Sequence, residues 1–303
     1  MKLDPAVLRS LSLGSARTEV TSHGGSGFST TAKITTTTKD GTEKHYFMKS
    51  GKGEGADVMF KGEHASLNAI HSIVPNLCPQ SFAEGRLDDS PGVAFLVTDF
   101  LDMSGRSMET PNEKSTDTLP TKLAKLHTTP APIPDGYSKP VFGFPEVTCC
   151  GNTEQPNHFT ESWADFYAKN RLLAILKKSE RTNGKDSSLR SLVEKTAFET
   201  VPRLIGDEHL NGGKGVVPVT VHGDLWSGNK GRGRIGGQGA VEDVVFDPSA
   251  CYAHSEYELG IVGPIFRSKL NFFPYHIQII SLEDMSGEFL SFQIVSQCTR
   301  HTQ

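Results

Sequence analysis

Two periodicities divide this chain. In roughly the first hundred residues, apolar or β-branched positions alternate with polar ones over Thr18–Ser22, Phe28–Thr38, Lys44–Lys49, Gln80–Arg86 and Val93–Thr98. This period of two predicts strands. The threonine run at Thr35–Thr38 belongs to the second of them as β-branched strand sequence. Between strands, Ala56–Ile73 sets Val58, Met59, Ala65, Leu67 and Ile70 around Glu63 at helical spacing, and Leu3–Leu13 is a short amphipathic start. Further on, helical spacing takes over at Leu119–His127, Glu161–Lys178 and Ser188–Val201, with the proline-rich stretch Pro130–Pro145 separating the first two. The pattern predicts an α+β chain of two lobes, a small β-rich one over 1–100 and a mainly helical one over 101–303, with no internal repeat.

Composition narrows the function classes. With 303 residues, 36% hydrophobic content and a net charge of -4, the chain can bury a substantial core. It has no basic run long enough to track a phosphate backbone; Lys230–Arg234 reads as a short basic, glycine-rich loop, so no nucleic-acid partner is expected. No stretch approaches the length of a membrane span, and the opening MKLDPAVLRS lacks the apolar core of a signal peptide. A soluble, cytoplasmic protein with no membrane partner is expected. Cys78, Cys149, Cys150, Cys251 and Cys298 are odd in number and contain no C-x-x-C, which argues against a disulfide framework or a zinc site. Adjacent Cys149 and Cys150 are read as packed thiols, and no feature fixes an oligomeric state.

The chemistry concentrates in His222-Gly-Asp-Leu-Trp-Ser-Gly-Asn229 and in Asp247, eighteen positions later within Val-Val-Phe-Asp-Pro. Asp224 and Asn229 stand five apart, the interval between the base and the metal-binding amide in the H-R-D-x-x-x-x-N loop of protein kinases, where a second metal-binding Asp follows. Phosphoryl transfer needs such a set: one carboxylate to orient and deprotonate a hydroxyl, an amide oxygen and a second carboxylate to hold Mg²⁺ against nucleotide phosphates. Singly, each residue also fits a bland role, His-Gly-Asp as a turn, Asp247 as a cap before Pro248, Asn229 in a solvated loop.

The upstream sequence supplies the other half of such a site. HGGSGFSTTAKI, residues 23–34, offers Gly24, Gly25 and Gly27 for close approach of the backbone to phosphate oxygens. It is neither a Walker A motif nor a G-x-G-x-x-G opening a helix, so a dinucleotide fold is unsupported. His45-Tyr-Phe-Met-Lys49 ends a strand on a lysine, Glu63 sits in the next helix, and Thr98-Asp-Phe-Leu101 follows as a hinge whose backbone, at Asp99 and Leu101, would pair with adenine. Alone, Lys49 and Glu63 would read as surface charges. The order of glycine turn, lysine, glutamate, Asp/Asn and Asp makes them a nucleotide-binding pair.

At these residues the chain resembles the fructosamine kinases, or ketosamine-3-kinases, of the kinase-like superfamily. The likeness extends through Phe60–Leu67, Leu123–His127, Phe142–Gly151, Trp163–Leu173 and Phe246–Leu259, roughly residues 20–260, and the tryptophan in HGDLWSGN is its most specific element. The resemblance implies a two-lobed protein-kinase-like fold and an ATP- and Mg²⁺-dependent kinase. Its substrate would be the 3-hydroxyl of ketosamines, on glycated proteins or free amines, and the unstable phosphorylated adduct would then leave. It implies Asp224 as base, Asn229 and Asp247 as metal ligands, Lys49 on the α- and β-phosphates positioned by Glu63, and His222 and Trp226 near substrate. Trp226 offers an aromatic face to a sugar, or equally a buried structural ring. A different small-molecule kinase, of aminoglycoside or amino-sugar type, is the first alternative, and an inactive nucleotide-binding pseudokinase the second. A cysteine that links subunits in some relatives has no counterpart between His23 and Ile34. The C-terminal end is atypical: Val262-Gly-Pro264 would stop a helix, residues 262–303 are expected to depart from the family, and those beyond about 265 to pack poorly.

Overall fold

A computed structural model describes residues 2–14, 18–25, 29–38, 41–53, 55–104 and 117–262. Gly27, Phe28 and the C-terminal stretch on which the packing expectation falls lie outside the described residues. Contacts divide the chain into two compact units, Met1–Lys122 with Gly228–Pro248, and Leu123–Ser227 with Ser249–Gln303. The division differs from a single boundary near residue 100, because the 228–248 segment returns to the first unit.

The first unit opens with α1 (Pro5–Ser10), started by the Asp4 carboxylate, which accepts the Ala6 N–H at 2.8 Å, and by Pro5 in the first turn. Strands β1 (Thr18–Gly25), β2 (Thr30–Thr37) and β3 (Glu43–Lys52) precede helix α2 (Ala56–Ile73) and strands β4 (Ser81–Arg86), β5 (Val93–Asp99) and β6 (Leu101–Asp102). The first five pair antiparallel in the order β1-β2-β3-β5-β4. Period-two alternation decides its faces. Val20, Ala32, Ile34, Tyr46, Met48, Phe95 and Val97 bury one face with Leu3, Ala6 and Val7 from the N-terminal segment. On the other face Phe60 of α2 packs with Ala94 and Leu96 of β5. Since Tyr46 and Met48 point toward α1, alternation turns Lys49, paired in register with Leu96, to the α2 face.

Helix α3 (Leu119–Thr128) follows, then the hairpin β7 (Thr148–Cys150) and β8 (Thr153–Gln155). Helix α4 (Trp163–Tyr167), capped by Ser162, runs through a π-turn at Ala168–Leu172 into α5 (Leu173–Asn183) and stops at Gly184. The run is therefore longer than the 161–178 expected from spacing. It buries Trp163, Phe166, Tyr167, Leu172 and Leu176. Helix α6 (Ser187–Lys195), capped by Asp186, passes a second π-turn, Thr196–Thr200, into α7 (Val201–Ile205). Pro202 is accommodated near the start of α7, so helical structure passes the expected end at Val201. Strand β9 (Val219–Val221) carries the chain to the HGDLWSGN segment.

Next come β10 (Lys230–Ile235) and β11 (Glu242–Val245), then β12 (Cys251–Ala253) and α8 (Leu259–Val262). β12 pairs with β9, while β11, β10 and β6 form a small sheet in the first unit. Residues 230–234 are thus a strand rather than the expected loop. Their glycines answer to close packing: a Cβ on Gly231 would lie 2.3 Å from Met103 Cε, and one on Gly233 2.8 Å from the Asp102 carbonyl oxygen. Lys122 ties this sheet to α3, its buried ammonium donating to the carbonyls of Asn76 (2.7 Å) and Asp243 (3.0 Å) and to Glu242 Oε2 (2.7 Å). Among the described residues no helix is long and apolar enough to cross a membrane.

Candidate active site

In the first unit, three polar side chains meet. Lys49 Nζ lies 2.6 Å from Glu63 Oε1 and 2.6 Å from Asp247 Oδ1. Glu63 is presented on the buried stripe of α2, three residues after Phe60 and four before Leu67, which turns it toward the sheet face that carries Lys49. The Lys49 and Glu63 side chains are 14% and 12% exposed, Asp247 52%. Burial opposes a charged lysine, but the two carboxylates outweigh it and hold Lys49 protonated, above its ordinary value. Burial pushes Glu63 up, Lys49 draws it back in part, and the like charge of Asp247 adds to the rise.

Asp247 itself occupies left-handed backbone (φ 56°) immediately before a proline, a combination that costs on the order of 1–3 kcal/mol. The local structure supports it: the Phe246 N–H donates to the Asn229 carbonyl at 3.0 Å, and the buried Asn229 amide reaches the Asp247 carbonyl at 3.5 Å. Asn229 and Asp247 thus present an amide and a carboxylate from neighbouring strand ends, hard oxygen donors of the kind Mg²⁺ takes together with phosphates. The Gly24 and Gly25 end of β1 is irregular, with a register shift between Ser22 and Gly25 and Gly24 at φ 101°, open to residues without a Cβ. At the expected hinge, the Asp99 N–H donates to the Gln80 carbonyl (2.9 Å) and its carboxylate accepts the Gln80 N–H (3.0 Å), while Leu101 pairs with Ile235. Burial raises the Asp99 carboxyl, against the opposing pull of the Gln80 N–H.

In the second unit, β9 ends on a tight turn. Gly223 has φ 79°, and a Cβ there would lie 2.0 Å from the Ser249 carbonyl oxygen. His222, expected at substrate, is fully buried: its Nδ1 accepts the Asp224 N–H at 3.3 Å and its carbonyl accepts the Ser249 N–H at 2.9 Å. Its ring therefore shapes the turn. The buried Glu258 carboxylate accepts the N–H groups of both His222 and Gly223, the latter at 3.1 Å. Burial would push Glu258 up, yet His127, His222 and the main-chain donors bring it below its ordinary value. Asp224 stands beside Cys150, whose thiol is pushed up to about 12 by burial first and by Asp224 second. Trp226 is 42% exposed; the buried tryptophan is Trp163.

The fructosamine kinase family model matches residues 12–284. The chain belongs to the fructosamine kinase family. The match runs past Val262-Gly-Pro264 to residue 284. A Mus musculus ketosamine-3-kinase is 30% identical over 287 residues, 88% of this chain and 84% of its own length. A chloroplastic protein-ribulosamine 3-kinase of Oryza sativa subsp. japonica is 29% identical over 221 residues, 73% of this chain but 56% of its own length. A solved structure from Haemophilus somnus assigned to fructosamine-3-kinase shares the fold, with a TM-score of 0.67 at 17% identity, covering 97% of this chain and 88% of that one. One from Thermobifida fusca gives 0.64 at 20%, covering 96% and 88%. The expected α+β architecture of the family holds.

In the sequence of this fructosamine kinase neither Glu258 nor His127 stands out, and Cys150 reads as a packed thiol. Each is ordinary in its local sequence, and only the fold brings Glu258 to the His222–Gly223 amides and Cys150 to Asp224. His127 lies within the Leu123–His127 segment of family likeness, with Nε2 3.6 Å from the Glu258 carboxylate.

Proposed function

We propose that this fructosamine kinase transfers the γ-phosphoryl group of ATP to the 3-hydroxyl of ketosamines, ribulosamine and fructosamine adducts on protein lysines or free amines, and so initiates deglycation in the cytoplasm. The observation that carries the reading is Lys49, held within 2.6 Å of both Glu63 and Asp247 in a chain of this family. Lys49 would neutralise the α- and β-phosphate oxygens, with Glu63 fixing its ammonium, and the Gly24–Gly25 backbone would close on the phosphates. Asp99 and Leu101, at the hinge, would border the adenine. Asn229 and Asp247 would hold Mg²⁺. A bound Mg²⁺ ion offsets phosphate charge and orients the triphosphate. Asp224 would accept the proton of the attacking hydroxyl, and exposed Trp226 would take the apolar face of the sugar.

Purified protein assayed with ATP against ribulosamines, fructosamines and aminoglycosides tests the reading. Turnover of ketosamines alone is the expected result. Turnover of aminoglycosides alone would redirect the assignment to another small-molecule kinase, and nucleotide binding without turnover of any acceptor would make the protein a nucleotide-binding pseudokinase.

A further inference from the structure

We infer that His64 is a positioning residue for Glu63: closed into a ring with Ser81 and Asn68, it pins the turn of α2 that carries Glu63 to the edge strand β4, and acid opens the ring. The inference rests on Lys49 and Glu63 as the nucleotide-binding pair. β4 shifts register against β5 between Ser81 and Ala83, so Ala83 shares the α1 face with Val97 while Ser81 stands opposite Thr98. The irregularity turns the buried Ser81 toward α2. Its hydroxyl lies 2.8 Å from His64 Nδ1, and its N–H donates to Asn68 Oδ1 at 3.2 Å. His64 and Asn68 stand four apart on one side of α2, with Asn68 Nδ2 3.4 Å from His64 Nε2. Glu63 immediately precedes His64, so the ring holds the very turn from which Glu63 reaches Lys49.

The main chain dictates where the imidazole carries its proton. The Ser81 N–H can only donate, so the Asn68 oxygen faces it and the Asn68 NH₂ faces His64 Nε2. Nε2 is then the acceptor, and the proton sits on Nδ1, which donates to the Ser81 hydroxyl while that hydroxyl donates to the Val97 carbonyl at 3.3 Å. A second proton would set Nε2–H against the Asn68 NH₂. Turning the amide over would set its NH₂ against the Ser81 N–H instead, so one bond is lost either way. Burial lowers the imidazole below its ordinary value, and the Glu84 carboxylate of β4 draws it back in part. β5, the other strand against α2, brings apolar Ala94 and Leu96, while Asp99 at its end answers to Gln80 and His71. The ring is therefore whole above the ordinary histidine value of 6.5 and opens as pH falls through the lowered one.

Calorimetric titration with Mg·ATP separates positioning from mere support. His64→Leu should weaken binding about 5–20-fold, the worth of one or two hydrogen bonds, while adenosine binding stays within about twofold. In a Glu63→Gln background the same substitution should cost less than about twofold, because no carboxylate remains to be misplaced. His64→Asn keeps a donor for Ser81 but cannot titrate, so the effect of pH on the nucleotide itself cancels when it is compared with wild type. From about pH 7.5 to about pH 5 the wild-type affinity should fall about fivefold more than that of His64→Asn. Wild-type affinity in His64→Leu, equal losses with and without Glu63, or parallel pH profiles would overturn the proposal. Unchanged Mg·ATP affinity in Lys49→Met would instead remove the nucleotide-pair reading itself. Should His64→Leu not fold, the wild-type imidazole decides: its nitrogen NMR shifts should place the proton on Nδ1 at about pH 8, and a proton on Nε2 would refute the ring.

Discussion

Replacing Gly223 with alanine isolates what the catalytic turn demands of the backbone. The residue sits at φ 79°, where an L side chain costs on the order of 1 kcal/mol, and its Cβ would come within 2.0 Å of the Ser249 carbonyl oxygen. Contacts under about 3 Å are not sustained, so one of the two main chains must retreat by about 1 Å, at a further cost of about 1–3 kcal/mol typical of overpacking. The Ser249 side cannot retreat freely, because its N–H is bonded to the His222 carbonyl at 2.9 Å and β12 begins two residues later. The displacement is therefore shared by Asp224. We expect Gly223→Ala to lose about 2–4 kcal/mol of stability in urea denaturation and about 10²-fold in kcat with KM for ATP little changed. Gly184→Ala is the control: φ 87° at the end of α5 but nothing within 4 Å of its Cβ, so only the conformational cost of about 1 kcal/mol and no kinetic effect are expected. Equal stability losses in the two variants, or undiminished turnover in Gly223→Ala, would show that the collision with Ser249 is relieved without moving the base.

Asp247→Ala should weaken binding of Mg·ATP far more than binding of adenosine in titration calorimetry; equal losses would confine Asp247 to a role in the turn. Lys49→Met leaves Glu63 buried beside Asp247, so Glu63, already raised in the wild type, should rise further. A carboxyl with a raised folded-state value favours the native state below its unfolded value, near 4.5, and loses that contribution as pH rises through the folded value. The stability deficit of Lys49→Met against wild type should therefore be small near pH 5 and larger at pH 8, and the reverse trend in urea melts would refute it. Cys149 and Cys150, pushed up to about 11 and about 12 chiefly by burial, should be alkylated by iodoacetamide at pH 8 about 10²–10³ times more slowly than a peptide thiol. Peptide mapping that finds them labelled at the free-thiol rate would contradict this environment.

The parts of the fold legible in the sequence are those where one periodicity acts alone. β2 and β3 alternate cleanly because one face of each meets α1, and Glu63 could be placed because Phe60, Leu67 and Ile70 mark the buried side of α2. Lys49 and Asp247, far apart in sequence, are each marked only by their place in a kinase-like order of residues; their contact at 2.6 Å is a product of topology. β10 escaped notice because its glycines, the usual mark of a loop, are there to admit Met103 and the Asp102 backbone. The first helical run outlasts its expected end because Ser179–Asn183 is polar and carries no apolar stripe, and the second passes Val201 with Pro202 in the first turn of α7. His222 belongs to the HGDLWSGN motif, and the fold buries it with its Nδ1 accepting the Asp224 N–H.

The return of residues 228–248 to the first unit bears on how the protein is made. β6 gains its partner only from β10, with Leu101 paired to Ile235, and the Lys122 ammonium finds Glu242 only from the same late segment. On a ribosome, the amino-terminal sheet would emerge and collapse around α1 and α2 while the second sheet and the Asp247 partner of Lys49 were still unsynthesised. These pairings close loops of more than a hundred residues, and such closures are slow. The first unit therefore cannot be completed until the chain has passed residue 248. A fragment cut after residue 122 would leave the Lys122 ammonium with the Asn76 carbonyl but without Glu242 or the Asp243 carbonyl, its two partners from the late segment.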